Sequence, residues 1–437
     1  MTLSIGIRPF LIAVPFILAL SLTAGLAVED SSYGVLPALF IAGIAFLVSL
    51  SHFKTYVMLF LPLMFLSSES YVFHGFAFLL LLSFVLTWLR EGRLELYFPY
   101  WGALLLLFPL SVVAFMRAEQ FLHARTSLLF SLYYPLAVFI FLQNTDWQRR
   151  EIKFVLRYIT AIFALVGYFS LGYYLTAGLE RIAFGWSSYN LVAAAYGLVL
   201  PLALLETVYA QQASHRIANL LISAGIFIGL LVTQTRAIML ATLIAIAYIA
   251  RFDRKVLRLF LPLVIAALIA MPTLIFERMS MLLGRGVIAD WSAVGRIEVW
   301  MNSAGLIADN WFWGIGLESF RKIYIEMFPK SLTMGIHIHN MYLKWLLDYG
   351  IIALLLLTYM ILSMLRRAHG WLKTASKEAD PSRRRMVLAI NGAIVALMVA
   401  SLVDAYVSGL TAVLLFALLG FQSRLMANDS LAGEPQT

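Results

Sequence analysis

Three positions in this apolar chain carry side chains suited to chemistry. They are Arg236 in Thr235-Arg236, Arg296 in Gly295-Arg296-Ile297-Glu298-Val299-Trp300, and the pair in His337-Ile338-His339-Asn340. A guanidinium is a planar fork that holds carboxylate or phosphate oxygens through two parallel hydrogen bonds. A neutral imidazole can take the proton of a hydroxyl in general-base catalysis. Arginines with a histidine therefore suit a reaction in which a hydroxyl attacks and an anionic group leaves.

Each residue also has a bland reading. Arg236 stands between the apolar runs Ile217–Val232 and Ala237–Ala250, with no acid close in sequence. It could snorkel to an interface or bind an anion at the mouth of a helix bundle. Ser292 could cap a helix bearing Arg296, Trp300 and Met301. On that helix Glu298 is too near in sequence to face Arg296, since facing residues are three or four apart. Two arginines unpaired in sequence favour the anion reading. His339-Asn340 opens the apolar helix that begins at Met341. A helix N-terminus presents free N–H groups and partial positive charge, which helps bind phosphate and disfavours imidazolium. The bland alternative for His339 is a capping or interfacial histidine. His337 is a supporting partner or a bystander. A His-x-His pair raises metal binding, but no acids or cysteines cluster with it, so no metal is expected. There is no P-loop, no His-Glu-x-x-His and no Asp-x-Asp pair beside these residues. Without a metal, arginines must carry the charge of a departing diphosphate.

The elements that position these residues are membrane helices. Hydrophobic residues make up 62% of the 437 and charged residues 13%, roughly half the charged share of a soluble protein. The absence of cysteine excludes disulfides and thiol chemistry. A helical span needs about 20 apolar residues, and apolar runs start near Pro9, Tyr33, Thr55, Tyr71, Tyr97, Thr126, Phe154, Tyr189, Ile217, Ala237 and Leu259. Further runs cover Met341 to Leu365, Met386 to Val403, and a last stretch to Phe421. Thr55–Leu66 is short enough to be re-entrant, and the break at Asp404-Ala405-Tyr406 is soft. The expectation is an all-α polytopic membrane protein of about 12–14 transmembrane helices with one large periplasmic excursion. Its parts are N-terminal spans over 1–276, the excursion with the site residues over 277–340, C-terminal spans over 341–426 and a disordered cytoplasmic tail over 427–437.

Basic clusters at Arg90/Arg93, Arg149-Arg150, Arg251 to Lys255 and Arg366 to Arg385 all fall on the side of the N-terminus, which the positive-inside rule makes cytoplasmic. They account for much of the net charge of +9, so a nucleic-acid partner is not needed. Counting spans puts Arg117, Arg125, Arg181, Arg236 and Arg296 on the far side, against that bias. Trp311, Phe312 and Trp313 read as an interfacial aromatic belt.

His339-Asn340 followed nine residues later by Gly350 is similar to the histidine motif of bacterial O-antigen ligases. Thr235-Arg236, Gly295-Arg296 with Trp300, and Trp313-Gly314-Ile315-Gly316 resemble the pattern that leads into it. The small residue the motif expects four positions after the glycine is Leu354 here. The chain is thus identified as a member of the superfamily of O-antigen ligases, O-antigen polymerases and protein O-oligosaccharyltransferases. The resemblance implies a GT-C-like, metal-independent, inverting glycosyltransferase of the bacterial inner membrane, needing no cofactor. Its partners would be a glycan donor on undecaprenyl diphosphate, a lipid A–core acceptor and membrane lipids. It implies His339 as the base and Arg236 and Arg296 on the diphosphate. Arg181, His337 and Asn340 are further substrate-binding candidates. A polymerase or a protein O-oligosaccharyltransferase would use the same donor with another acceptor. A transporter or flippase would instead place its charges near the bilayer midplane, in broken helices or repeats.

Overall fold

The computed structural model describes residues 53–66, 79–87, 89, 98–176, 188–270, 291–329, 337–375 and 380–427. The runs expected from Pro9 and Tyr33, the start of the one at Tyr71, Arg181 and the tail beyond Ala427 lie outside the described residues. The chain divides into two units, 1–95 and 96–437. In the first, a helix over Phe53–Phe60 stops where Pro62 cannot continue the hydrogen-bond ladder, and a 3-10 turn follows at Leu63–Leu66. Phe53 packs edge-on against Phe84 at 5.3 Å.

The second unit is a helix bundle. Its helices are α1 (Trp101–Met116), α2 (Phe121–Asn144), α3 (Arg149–Thr176), α4 (Tyr189–Val208), α5 (Ala213–Val232), α6 (Arg236–Phe252) and α7 (Leu257–Ala270). They continue as α8 (Trp291–Asn310), α9 (Phe320–Met327), α10 (Met341–Tyr349), α11 (Ile351–Thr374), α12 (Pro381–Ala400) and α13 (Gly409–Ala427). No strand occurs among the described residues. Six of the helices, α2, α3, α4, α5, α11 and α13, are long and apolar enough to cross a membrane.

α4 and α13 are apolar on every face and buried along most of their length, the pattern of a helix at the centre of a bundle. α5 packs on α3 and α4, α12 on α4 and α6, and α13 on α2. At the α3–α5 contact Gly167 faces Gly225 so closely that a Cβ on Gly167 would lie 2.0 Å from the Gly225 carbonyl oxygen. Small residues at such crossings let helix backbones meet, which is how membrane helices gain packing without a hydrophobic drive.

Two features differ from the sequence expectation. Ser292 lies inside α8 and is not its cap. The single run Met341 to Leu365 is two helices, parted at Gly350 with φ 84° and ψ 175°, a backbone region open essentially only to glycine. A Cβ there would lie 2.0 Å from the Phe312 carbonyl oxygen. The turn after α8 docks into this break, with Ile315 N–H on the Leu347 carbonyl (2.6 Å) and Ile351 N–H on that of Trp311 (2.9 Å).

The two ends of the bundle are chemically distinct. At one end Arg149 pairs with Asp380, Arg424 with Asp146, and Arg157 with Glu206 at 2.6 Å. The starts of α4, α6 and α13 and the end of α12 meet at the other.

Candidate active site

Asp404, in the turn between α12 and α13, is the centre of that second end. Its Oδ1 accepts from His339 Nδ1 (3.2 Å) and from Ala405 N–H (2.8 Å). Its Oδ2 accepts from Asn190 Nδ2 (2.7 Å) and lies 4.0 Å from Arg296 Nη2. Thr235, the neighbour of Arg236, donates to Asn190 Oδ1 at 3.3 Å. Five segments of the chain thus converge on one carboxylate.

Local sequence explains each placement. Ser188 caps α4 by accepting from Asn190 N–H at 3.2 Å, which sets Asn190 at the helix mouth. Between α5 and α6 the chain reverses through Thr233-Gln234-Thr235, with Gln234 at φ 54°, and Arg236 becomes the first residue of α6. Arg296 rides on α8 one turn before Trp300, a spacing that puts both on one face. The Trp300 indole N–H donates to the Ile338 carbonyl at 2.6 Å, and so joins α8 to the histidine segment. Beneath this joint Val299, Ile315, Phe320, Tyr324, Ile338 and Leu347 form a buried apolar cluster.

Asn340 makes three hydrogen bonds through its side chain. Its Oδ1 caps α10 by accepting from Tyr342 and Leu343 N–H, at 2.9 and 3.0 Å. Its Nδ2 donates to the Leu402 carbonyl at 2.8 Å, and Met341 N–H donates to that of Ser401 at 2.9 Å. These bonds staple the start of α10 to the end of α12 and carry His339 to Asp404. His339 itself takes φ 49°, a left-handed backbone uncommon outside glycine.

A second carboxylate pair supports α10 from below. Lys344 Nζ lies 2.7 Å from Glu318 Oε1 and 2.8 Å from Asp348 Oδ2, and Ser127 of α2 donates to Glu318 Oε1 at 2.8 Å. The Lys344 ammonium pulls the Glu318 carboxyl down to about 2 against the cost of burial.

Electrostatics fix the working nitrogen of His339. Burial disfavours charge on Asp404, but the bonds from His339 and Ala405 and the Arg296 charge outweigh it and hold its pKa below the ordinary value. An ionised carboxylate only accepts, so in the neutral ring Nδ1 is the nitrogen that carries the proton and Nε2 is the one with the lone pair. The His339 side chain is 31% exposed.

Sequence reading left Arg296 without a partner, and the fold supplies Asp404. Arg236 is not without partners either, and its chain neighbour Thr235 bonds Asn190 of the cluster. Arg296 Nε is buried with no hydrogen-bond acceptor among the described residues. His337 lies edge-on to His339 with ring centroids 6.1 Å apart. Desolvation, then the Lys344 charge, hold its pKa below the ordinary value. Trp311, Phe312 and Trp313 are exposed and stack edge to face, at 5.4 and 4.9 Å. Asp404 and Asn190 were not among the sequence candidates. The available signal for Asp404 was a lone acid in a long apolar run, on the far side from the basic clusters.

Residues 218–358 match the family model described as O-Antigen ligase. No curated protein matches the chain. The matched stretch holds Arg236, Arg296, His339 and Gly350, and it excludes Asn190 and Asp404. That match, over residues 218–358 alone, supports membership of the O-antigen ligase superfamily, and the apolar helices support a multi-pass membrane protein.

Proposed function

We propose that this protein is an O-antigen ligase. It moves a glycan en bloc from undecaprenyl diphosphate to a sugar hydroxyl of lipid A–core, without metal and with inversion at the anomeric carbon. The observation that carries the reading is His339 held by Nδ1 on Asp404, with Arg296 on the same carboxylate.

His339 Nε2 takes the proton of the acceptor hydroxyl as its oxygen attacks the anomeric carbon. The bond from that carbon to the diphosphate oxygen breaks on the opposite face, and the electron pair leaves with the diphosphate. Arg296, whose buried Nε lacks an acceptor, and Arg236 at the start of α6 bind the departing charge. Asp404 keeps the imidazole in its working tautomer and offsets the positive charge it gains. General-base help typically contributes ~10²–10⁴-fold, so orientation and leaving-group electrostatics supply much of the remainder. The active site faces the periplasm of a bacterial inner membrane, with both termini cytoplasmic. The basic clusters at the other end of the bundle support that orientation.

The test uses purified protein, undecaprenyl-diphosphate-linked glycan, lipid A–core and EDTA, with transfer followed on a gel. Wild type transfers in EDTA, and His339→Ala, Arg236→Ala and Arg296→Ala lose at least about 100-fold. Lengthening of the glycan with lipid A–core ignored would make the protein a polymerase with the same site. Donor translocation without transfer would remove the enzyme reading.

A further inference from the structure

The opposite end of the bundle holds a recess that the proposed reaction does not use. It is a shallow recess lined by Lys153, Arg157, Glu206 and Arg385, with an apolar floor that includes Leu156 and Leu205. α4 forms the base, and α3 and α12 form the walls.

Its charges do not balance. Glu206 is taken by two cations, Arg157 through Nε and Nη2 at 3.0 and 2.6 Å, and Lys153 at 3.5 Å. Arg385 has no carboxylate partner among the described residues. Its guanidinium lies over the Tyr209 ring at 4.2 Å, which fixes its direction while leaving its donors unused. The lining thus carries three cations against one acid, and Lys153, Glu206 and Arg385 are half-buried, where solvent screens them less than at an open surface. The recess opens beside α3 and α4, which are long and apolar enough to cross a membrane, near the charged helix ends that mark an interface.

We propose that this recess is a binding site for the phosphate of an anionic phospholipid headgroup, with Arg385 and Lys153 as its main contacts. A phosphate supplies the acceptors that Arg385 lacks and the negative charge the lining lacks. The apolar floor suits the first carbons of the attached chains, which a free phosphate does not have. Basic pockets between membrane helices take such headgroups, and each Lys or Arg near the surface strengthens binding about fivefold. The site is independent of the active-site reading, since it rests on other residues at the other end of the bundle.

The test is thermal melting and native mass spectrometry of the full-length protein in an uncharged detergent. The probes are phosphatidylglycerol, phosphatidylcholine and inorganic phosphate. Phosphatidylglycerol should raise the melting temperature and stay bound, and phosphatidylcholine should do neither. Arg385→Gln with Lys153→Gln should weaken phosphatidylglycerol binding about 25-fold, from about fivefold per cation. Arg385→Lys, which keeps the charge, should retain most of the binding and guards against a folding defect. Arg366→Gln with Arg367→Gln removes two exposed cations of the same basic region and should bind as wild type. Equal loss in this control pair would overturn the proposal in favour of diffuse surface charge. A melting shift from inorganic phosphate as large as that from the lipid would overturn the assignment to a headgroup.

Discussion

The two ends of the bundle use charge in opposite ways. Outside the recess at the basic end, acids and cations meet pairwise between helix termini: Arg149 with Asp380 and Arg424 with Asp146. Each pair ties two helices together at the edge of the solvent, where such bridges contribute little individually. At the other end, Asp404 serves His339, Arg296, Asn190 and the Ala405 N–H at once. Its side chain is only 10% exposed, and side chains from three other segments share it. Pairing closes a surface, whereas sharing leaves capacity for a ligand. On the proposed function, the difference separates charges that hold the bundle from charges that receive an anion.

That distinction can be broken by substitution, beginning with the largest effect. Asp404→Asn should cut transfer by about 100-fold or more, because an amide can turn its N–H toward His339 and reverse the tautomer. Melting should shift little, so a variant that unfolds instead would class Asp404 with the structural acids. Lys344→Met should do the reverse. Removing the cation from a buried pair costs about 3–5 kcal/mol, read as a large fall in melting temperature. The Glu318 carboxyl, at about 2 in the folded protein against an ordinary 4.5, contributes stability fully above 4.5. That contribution fades as pH falls towards 2. Glu318→Gln should therefore lose this part of the acid sensitivity, seen by melting across that window.

Arg296→Lys keeps the charge but loses the fork, and should lower transfer about tenfold. Kinetics against donor concentration would check it, and unchanged transfer would mean that charge alone suffices. The smallest effect belongs to the basic end. Asp380→Ala removes the Arg149 pair and the cap on Arg383 N–H, for a loss of about 1 kcal/mol. Transfer per folded molecule should stay at the wild-type level, and a fall in turnover would mean that the two ends communicate.

Sequence alone made the local part of this arrangement readable. Asn340 before an apolar run announces a helix start, and the helix begins at Met341. Thr235-Arg236 reads as a helix entrance for the same reason. The long-range part was hidden. His339 and Asp404 are 65 residues apart, and Asn190 and Asp404 are 214 apart. No helical period connects such positions, so Arg296 looked solitary and Asp404 looked like an interruption between spans. The break at Gly350 was masked differently, because the residues on both sides are apolar and hydropathy averages over a single bent peptide. The helix breaks at the positive φ of Gly350, and the Phe312 carbonyl, brought there only by the fold, leaves no room for a Cβ at that position.

The placement of Asp404 after α12 has a consequence for biogenesis. The recognisable family stretch ends at residue 358, and a nascent chain that has reached that point already carries both arginines and the histidine. It lacks Asp404, which bonds His339, and the α12 end that receives the Asn340 staple. The Asp404 cluster therefore closes late in synthesis, when α12 and the turn beyond it have joined helices laid down long before. On the proposed function, a partly made chain would lack the assembled site, and order of synthesis would guard against premature transfer.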